Sequence, residues 1–301
     1  MAQHKDTKAI AIRSRSLLQE SWLRFRENKT AIAGMTILVI LIIISISTIV
    51  IDLVDGGATY DKYVISQNLR QKLALPSAAH PFGCDEYGRD LLFRMLWGAR
   101  YSLFSGIACI CLATIFGGTL GAIAGYYGGK VDNFIMRLMD VMMAVPATIL
   151  AMAIVAALGA NMRNLLIALA IPGIPKYARV LRSSVMTVKG SEYIEAAKAV
   201  GASDKLIILE YIIPNAMTPL IVQATLGVSN AIMSIAGLSF IGLGIQPPAP
   251  EWGSILSSAR TYMRDAWHIS VIPGLAIMIS ILALNLFGDG LRDALDPKLK
   301  K

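Results

Sequence analysis

This chain is built around long apolar stretches that contain no charged side chain: Ala31 to Ile51, Tyr101 to Gly129, Val141 to Met162 and Ala266 to Gly288. Each exceeds the roughly 18 residues that a helix needs to cross a hydrocarbon core of about 30 Å, because a helical residue advances about 1.5 Å. Only 16% of the 301 residues are charged, well below the roughly 25% of soluble domains. A soluble or disordered chain is thereby excluded, and a multi-pass membrane protein with one membrane domain is predicted.

Two further spans are weaker. Twelve uncharged residues separate Arg163 from Lys176, with Pro172 and Pro175 near their end, so a fourth span forms only if it reaches toward Leu181. Between Glu210 and Glu251 lie forty uncharged residues, too many for one ordinary helix, and Gly237, Gly242, Gly244 and Pro247-Pro248 break the far end. One span plus an ordered turn is expected there. The prediction is an all-α bundle of six transmembrane helices without an internal repeat.

Charge decides the orientation, because cytoplasmic loops carry the excess of Lys and Arg. With the N-terminus inside, the cytoplasmic side collects +7 and the outside +1 of the net +8. Both termini and the loop from Lys176 to Glu210 are therefore expected in the cytoplasm. The same distribution argues against nucleic acid as a partner, since the basic residues follow the loops instead of forming a patch beside stacking aromatics. The leader carries Leu18, Trp22 and Phe25 at helical spacing beside Arg13, Arg15, Arg24 and Arg26. That pattern reads either as a basic amphipathic helix in the membrane interface or as a solvated tail. The run from Ala31 follows this charged leader, so it reads as a retained first span and not a cleaved signal.

Catalytic and metal chemistry lacks its residues. The histidines are His4, His80 and His268, the cysteines Cys84, Cys109 and Cys111 form no CxxC pair, and no HExxH or GxSxG pattern occurs. Gly128-Gly129-Lys130 is no phosphate loop, because the earlier glycine is Ala124 and the following Ser or Thr is Val131. The confident spans hold charges only near their ends, as at Arg137 and Asp140, which disfavours an ion-coupled carrier. Neither an enzyme, a resident metal nor a cofactor of this chain is expected. Gly117, Gly121 and Gly125 share one helix face, which suits either a subunit or pore interface or packing inside the bundle. Pro146, Pro214, Pro219 and Pro273 receive no gating role, since proline is common in membrane helices.

The segment Ser191 to Pro214 reads SEYIEAAKAVGASDKLIILEYIIP. Glu192 and Glu195 fall in the first turn of a short helix, where carboxylates complement its positive end. Gly201 ends it, and Ser203 or Asp204 caps a second helix leading into the fifth span. Ala196, Ala197 and Ala199 keep the first helix thin enough to enter a groove on another protein.

Taken whole, Glu195-Ala196-Ala197, then Gly201, then Pro214, resembles the EAA loop of ABC importer permeases. Tyr211 and Ile213 depart from that pattern while keeping its bulk. His80-Pro81-Phe82-Gly83, Asp85, Gly88-Arg89-Asp90 and Gly98-Ala99-Arg100 resemble the dipeptide and oligopeptide permeases, with Cys84 where that family usually has Thr. So do Leu238 to Gly244, Gln246-Pro247-Pro248, Pro250-Glu251-Trp252-Gly253 and the ending Asn285 to Pro297. The chain is identified as resembling the C-type permease of that family.

The resemblance implies the type I, MetI-like importer fold and a heterodimer with a B-type permease. It also implies two cytoplasmic ATPase subunits, which bind the ATP and Mg, and an extracytoplasmic substrate-binding protein. Peptides are the implied cargo; nickel or another small solute is the rival within the same family, and a self-standing channel or carrier the rival outside it. Coupling to the ATPases falls on Glu192, Glu195, Ala196, Ala197, Gly201, Asp204 and Pro214, while Gly88, Arg89 and Asp90 read as a turn pinned by a local salt bridge. The expected division is a tail over 1–30, a first span over 31–51 and an extracytoplasmic segment over 52–100. A core permease domain follows over 101–290, with its coupling loop over 183–214, and a tail over 291–301. The location implied is the plasma membrane of a prokaryote.

Overall fold

A computed structural model describes residues 17–296. Residues 1–16 and 297–301, with Arg13, Arg15 and Pro297 among them, lie outside the described residues. Among the described residues the regular structure is helical, apart from an isolated bridge between Cys84 and Asp90. Helix α1 (Leu17–Glu27) is followed by α2 (Lys29–Asp55), which starts where Asn28 Oδ1 accepts the Thr30 and Ala31 amides at 3.1 Å and stops at Gly56 in the left-handed region. Phe25 of α1 is buried edge-on against Phe287, with ring centroids 5.5 Å apart, so α1 docks on the bundle.

An irregular segment over 56–90 leads to α3 (Leu91–Tyr127), capped by the Asp90 carboxylate and about 55 Å long. Then come α4 (Gly129–Met143), α5 (Ala147–Leu158) and α6 (Met162–Lys189). The short α7 (Glu192–Ala199) and a wide helical turn over 207–212 precede α8 (Ile213–Phe240). A loop with α9 (Trp252–Ala259) connects to α10 (His268–Leu295). Helix α3 runs through the centre against α6 and α8, while α2 lies outside against α10 and leaves Ile40, Ile43 and Ile46 exposed. Exposed aliphatic rows of that kind are what a hydrocarbon solvent accepts.

Among the described residues four continuous helices are long and apolar enough to cross a membrane, and the bent pair α4 and α5, taken as one span, makes five. A sixth crossing rests on α6, which has the length, 28 residues, but carries Arg163, Lys176, Arg179, Arg182 and Lys189. It passes Leu181 and both internal prolines without a break. Two expectations change here. The span expected over Val141 to Met162 is not one helix: Pro146 lacks an amide hydrogen and itself leaves the helical region at ψ 130°, and the chain bends by 83° between α4 and α5. At twelve residues, α5 is about 18 Å long, short of the core. The loop expected from Lys176 also begins later, because Lys176, Arg179 and Arg182 belong to α6.

Gly117, Gly121 and Gly125 settle as packing inside the bundle. A Cβ on them would meet the carbonyl oxygens of Ile174, Ala178 and Arg182 respectively, so the glycine face of α3 lies against the backbone of α6 at every turn.

Candidate functional site

The segment between α6 and α8 forms a compact step on the end of the bundle where α3 finishes. Ser191 has the extended backbone of an N-cap, yet its carbonyl, not its hydroxyl, receives the Ile194 amide. The α7 helix then presents two faces. Ile194 and Ala197 are buried in a cluster with Leu181, Val185, Ile207 and Ile212. Glu192, Tyr193, Glu195, Ala196, Ala199 and Val200 are exposed, Val200 at 85%. Both carboxylates thus sit on the open face at the positive end of the helix, and of the two central alanines one points outward and one holds the helix down.

Gly201 closes α7 with φ +84°. Its amide donates to Lys198 O at 3.0 Å and the Ala202 amide to Ala197 O at 3.1 Å, the paired bonds of a glycine-terminated helix end. Nothing lies within 4 Å of a Cβ placed at Gly201, so glycine is required by the backbone and not by crowding. Ser203 Oγ receives the Leu206 amide at 3.4 Å, and Pro214 stands in the first turn of α8, directly after the wide helical turn over 207–212.

Asp204 does not cap: its carboxylate accepts the Tyr126 hydroxyl at 2.5 Å. Tyr126, at the end of α3 and 5% exposed, also receives Lys189 Nζ on its carbonyl at 2.5 Å. The ammonium groups of Lys189 and Lys198 lie 5.5 and 5.8 Å from its ring centre. One aromatic residue therefore joins α3, α6, α7 and the turn before α8. A two-bond fork from Arg182 to Asp132, both contacts 2.5 Å, ties α6 to α4. Tyr126 is absent from the residues expected from sequence; its signal is an aromatic pair, Tyr126-Tyr127, where an apolar span gives way to polar chain.

Gly88, Arg89 and Asp90 lie at the opposite end of α3 from Tyr126, so the expected residues form two groups and not one site. The Arg89 guanidinium meets Asp85 at 2.6 Å, and Gly88 turns at φ +70°. Asp90 accepts the Leu92 amide at 2.9 Å and contacts His80 Nδ1 at 2.7 Å. Asp85 holds a second buried cation, Arg94, at 3.2 Å, which donates to Val64 O at 3.0 Å and Pro248 O at 3.4 Å. Glu251 caps α9 through Gly253 and Ser254 and accepts the Ser102 hydroxyl at 3.2 Å. Burial, with Asp90 and Asp85 close by, pushes the Cys84 thiol up to about 11, so it stays protonated. This end is a folded cap pinned by buried ion pairs, and no cluster able to hold a metal occurs among the described residues.

Long apolar helices with one bent pair, a central glycine-faced helix and a helix–turn–helix step at one end are the build of a membrane-embedded helical subunit. The chain belongs to the family described as binding-protein-dependent transport system inner membrane component, which matches residues 117–301. Residues 16–75 match the N-terminal transmembrane domain of oligopeptide transport permease C. A dipeptide transport system permease protein of Alkalihalophilus pseudofirmus is 45% identical, covering 94% of this chain and 90% of the relative. A di/tripeptide transport system permease protein of Pseudomonas aeruginosa is 44% identical over 95% and 93%. A glutathione transport system permease protein of Pectobacterium atrosepticum is 41% identical over 94% and 91%. Among solved structures, an inward-facing MetNI methionine ABC transporter matches with TM-score 0.56 at 16% identity, over 68% of this chain and 98% of that one. An amino acid ABC transporter matches with TM-score 0.52 at 13% identity, over 67% and 94%. The fold is thus the MetI-like fold of ABC importer permeases.

Proposed function

We propose that this chain is a permease subunit of an ATP-driven importer of dipeptides or other short peptides, and that α7 is the surface through which ATPase subunits act on it. The observation that carries the coupling role is the construction of α7. Its outer face, with Glu192, Glu195, Ala196 and Val200, is open, while its inner face is fastened to α6, α3 and α8 through Ile194, Ala197 and Tyr126. A partner groove gripping the open face moves a body already joined to the spans. The named substrates of the relatives support the peptide reading, and the glutathione relative keeps a tripeptide cargo within the same class.

In this reading the chain supplies half the pathway and a B-type permease the other half. Two ATPase subunits bind ATP and Mg at the α7 end, and an extracytoplasmic binding protein docks near 52–100 and the loop before α10. The termini and α7 face the cytoplasm of a prokaryotic cell, with 1–30 and 291–301 as tails and 101–290 as the core. The chain itself catalyses no reaction. Closure of the ATPases on ATP draws α7 and tilts α6 as a rigid element, switching the pathway between inward and outward access.

The test is uptake of a labelled di- to oligopeptide pool by cells lacking this chain, complemented with wild type or Gly201→Asp. The open surroundings of Gly201 send the new carboxylate toward the partner side and place a negative charge at the negative end of α7. Uptake should return with wild type and fail with the variant at equal membrane level. Wild-type uptake by the variant removes α7 as the coupling element, and no uptake with wild type removes the peptide cargo.

A further inference from the structure

Lys176 occupies a position that the coupling surface does not use. It is near the middle of α6, beside Cys109 and Ala113 of α3 and Gly227 of α8. Gly117, where an added Cβ would meet Ile174 O and Tyr177 Cβ, marks the level of Lys176 on α3 and lies seventeen residues along α3 from Arg100, whose guanidinium pairs with Asp52 near the end of α2. At about 1.5 Å per residue that is about 26 Å, so the Lys176 backbone stands in the α7-side half of a roughly 30 Å hydrocarbon core, and its side chain lines the cavity it shares with Cys109. An ammonium at such depth must meet water or an anion. Yet Lys176 is exposed and makes no hydrogen bond or ion pair among the described residues. The acids on the facing helix α4 are taken: Asp140 by Arg179 and Asp132 by Arg182.

Lys176 lines a cavity of about 230 Å³ between α3, α5, α6 and α8. Tyr177 lines it too; that side chain is 2% exposed, and its hydroxyl, beside Gly227, has no hydrogen-bond partner among the described residues. Asn230 gives one amide hydrogen to Leu226 O at 3.3 Å and keeps the other. Thr148, in the first turn of α5, completes the wall, and that helix end has no side-chain cap. A cation, a tyrosine hydroxyl and an amide line this one cavity, whereas lipid-facing helices elsewhere expose Ile, Leu and Met. The donor set suits a carboxylate, and the volume suits one end of a peptide and not the whole of it.

We propose that Lys176, Tyr177 and Asn230 form a carboxylate-binding station in the α7-side half of the translocation pathway, engaging the carboxylate terminus of a short peptide as it crosses. The cargo in this proposal rests on the peptide reading above; the electropositive, aqueous nature of the site does not.

The test uses the transporter assembled with its partner subunits in cell membranes, with the three native cysteines replaced by alanine and a reporter at Ser234→Cys on the cavity wall. The reporter should react faster with an anionic than with a cationic methanethiosulfonate, and Lys176→Met should lower that rate ratio roughly tenfold. Peptide uptake should fall at least about tenfold in Lys176→Met and be largely kept in Lys176→Arg, with ATP hydrolysis retained in both. An unreactive reporter, or a ratio that Lys176→Met leaves unchanged, overturns the station. So does loss of assembly in Lys176→Met, which assigns the ammonium to a contact with the partner permease. If the ratio changes as expected but wild type carries no peptide, the station stands for another anion and the peptide reading alone fails.

Discussion

At the scale of single residues, the side chain that joins most elements at the α7 end of the bundle is Tyr126. Its hydroxyl reaches Asp204, its carbonyl holds Lys189, and its ring underlies two ammonium groups. Tyr126→Phe removes the hydroxyl and keeps the ring and the carbonyl. Because Asp204 is exposed and water can replace the lost donor, the cost to stability is about 1 kcal/mol. The effect on coupling is larger in kind, since the turn before α8 is no longer tied to α3. ATP hydrolysis per peptide transported, measured in reconstituted vesicles, is expected to rise in Tyr126→Phe. An unchanged ratio would show that the Asp204 contact transmits nothing. Sequence periodicity cannot find such a residue, because Tyr126 and Asp204 are 78 positions apart and meet only once α3 and α8 are packed. Gly201 is legible for the opposite reason: a glycine after a short amphipathic run is a local signal for a left-handed helix end.

Among the elements, α3 and α6 depend on each other most closely. Gly121 leaves no room for a Cβ over the Ala178 backbone, whereas a Cβ at Gly118 meets only Leu220 and Leu181 side chains at 3.4 and 3.5 Å. Alanine is favoured over glycine in a helix interior by about 1 kcal/mol. Gly118→Ala is therefore expected to hold or raise the melting temperature of the solubilised protein. Gly121→Ala must push α6 away and should lower stability by about 1–3 kcal/mol. Equal effects from the two would show that the close approach of the helices is not what glycine serves. The uncharged runs announce α2, α3 and α10 plainly, because one apolar stretch of sufficient length is a local property. They misplace the middle of the chain for physical reasons. Val141 to Met162 is apolar enough to span, yet one proline bends it; α6 carries charge throughout, yet Asp132 and Asp140 on α4 pair with Arg182 and Arg179. Hydropathy counts side chains and is blind to both effects.

For the whole molecule, the two ends of the bundle differ in build, and the difference bears on orientation. One end, around 56–90 and the loop before α10, buries Asp85, Arg89, Arg94 and Glu251 in a closed cap. The other end leaves α7 and its carboxylates open. In the proposed orientation the open end faces the cytoplasm, because its connections and the leader hold the excess of Lys and Arg. Leu69, 68% exposed at the capped end, and Val200, 85% exposed at the open end, are outward-pointing places for a reporter thiol. Cys84 is buried and stays protonated with its thiol pushed up to about 11, and Cys109 is buried, so only the exposed Cys111 needs replacing by serine. An impermeant maleimide at pH 7 should then label Leu69→Cys in intact spheroplasts and Val200→Cys only in inverted vesicles, both from cells lacking the ATPase subunits that would otherwise cover the open face of α7. The reverse pattern would turn the molecule over and place α7 beyond the reach of any cytoplasmic ATPase. Labelling of both from one side would mean that the chain crosses an odd number of times between residues 69 and 200 fewer or more than α3, the bent α4–α5 pair and α6 provide.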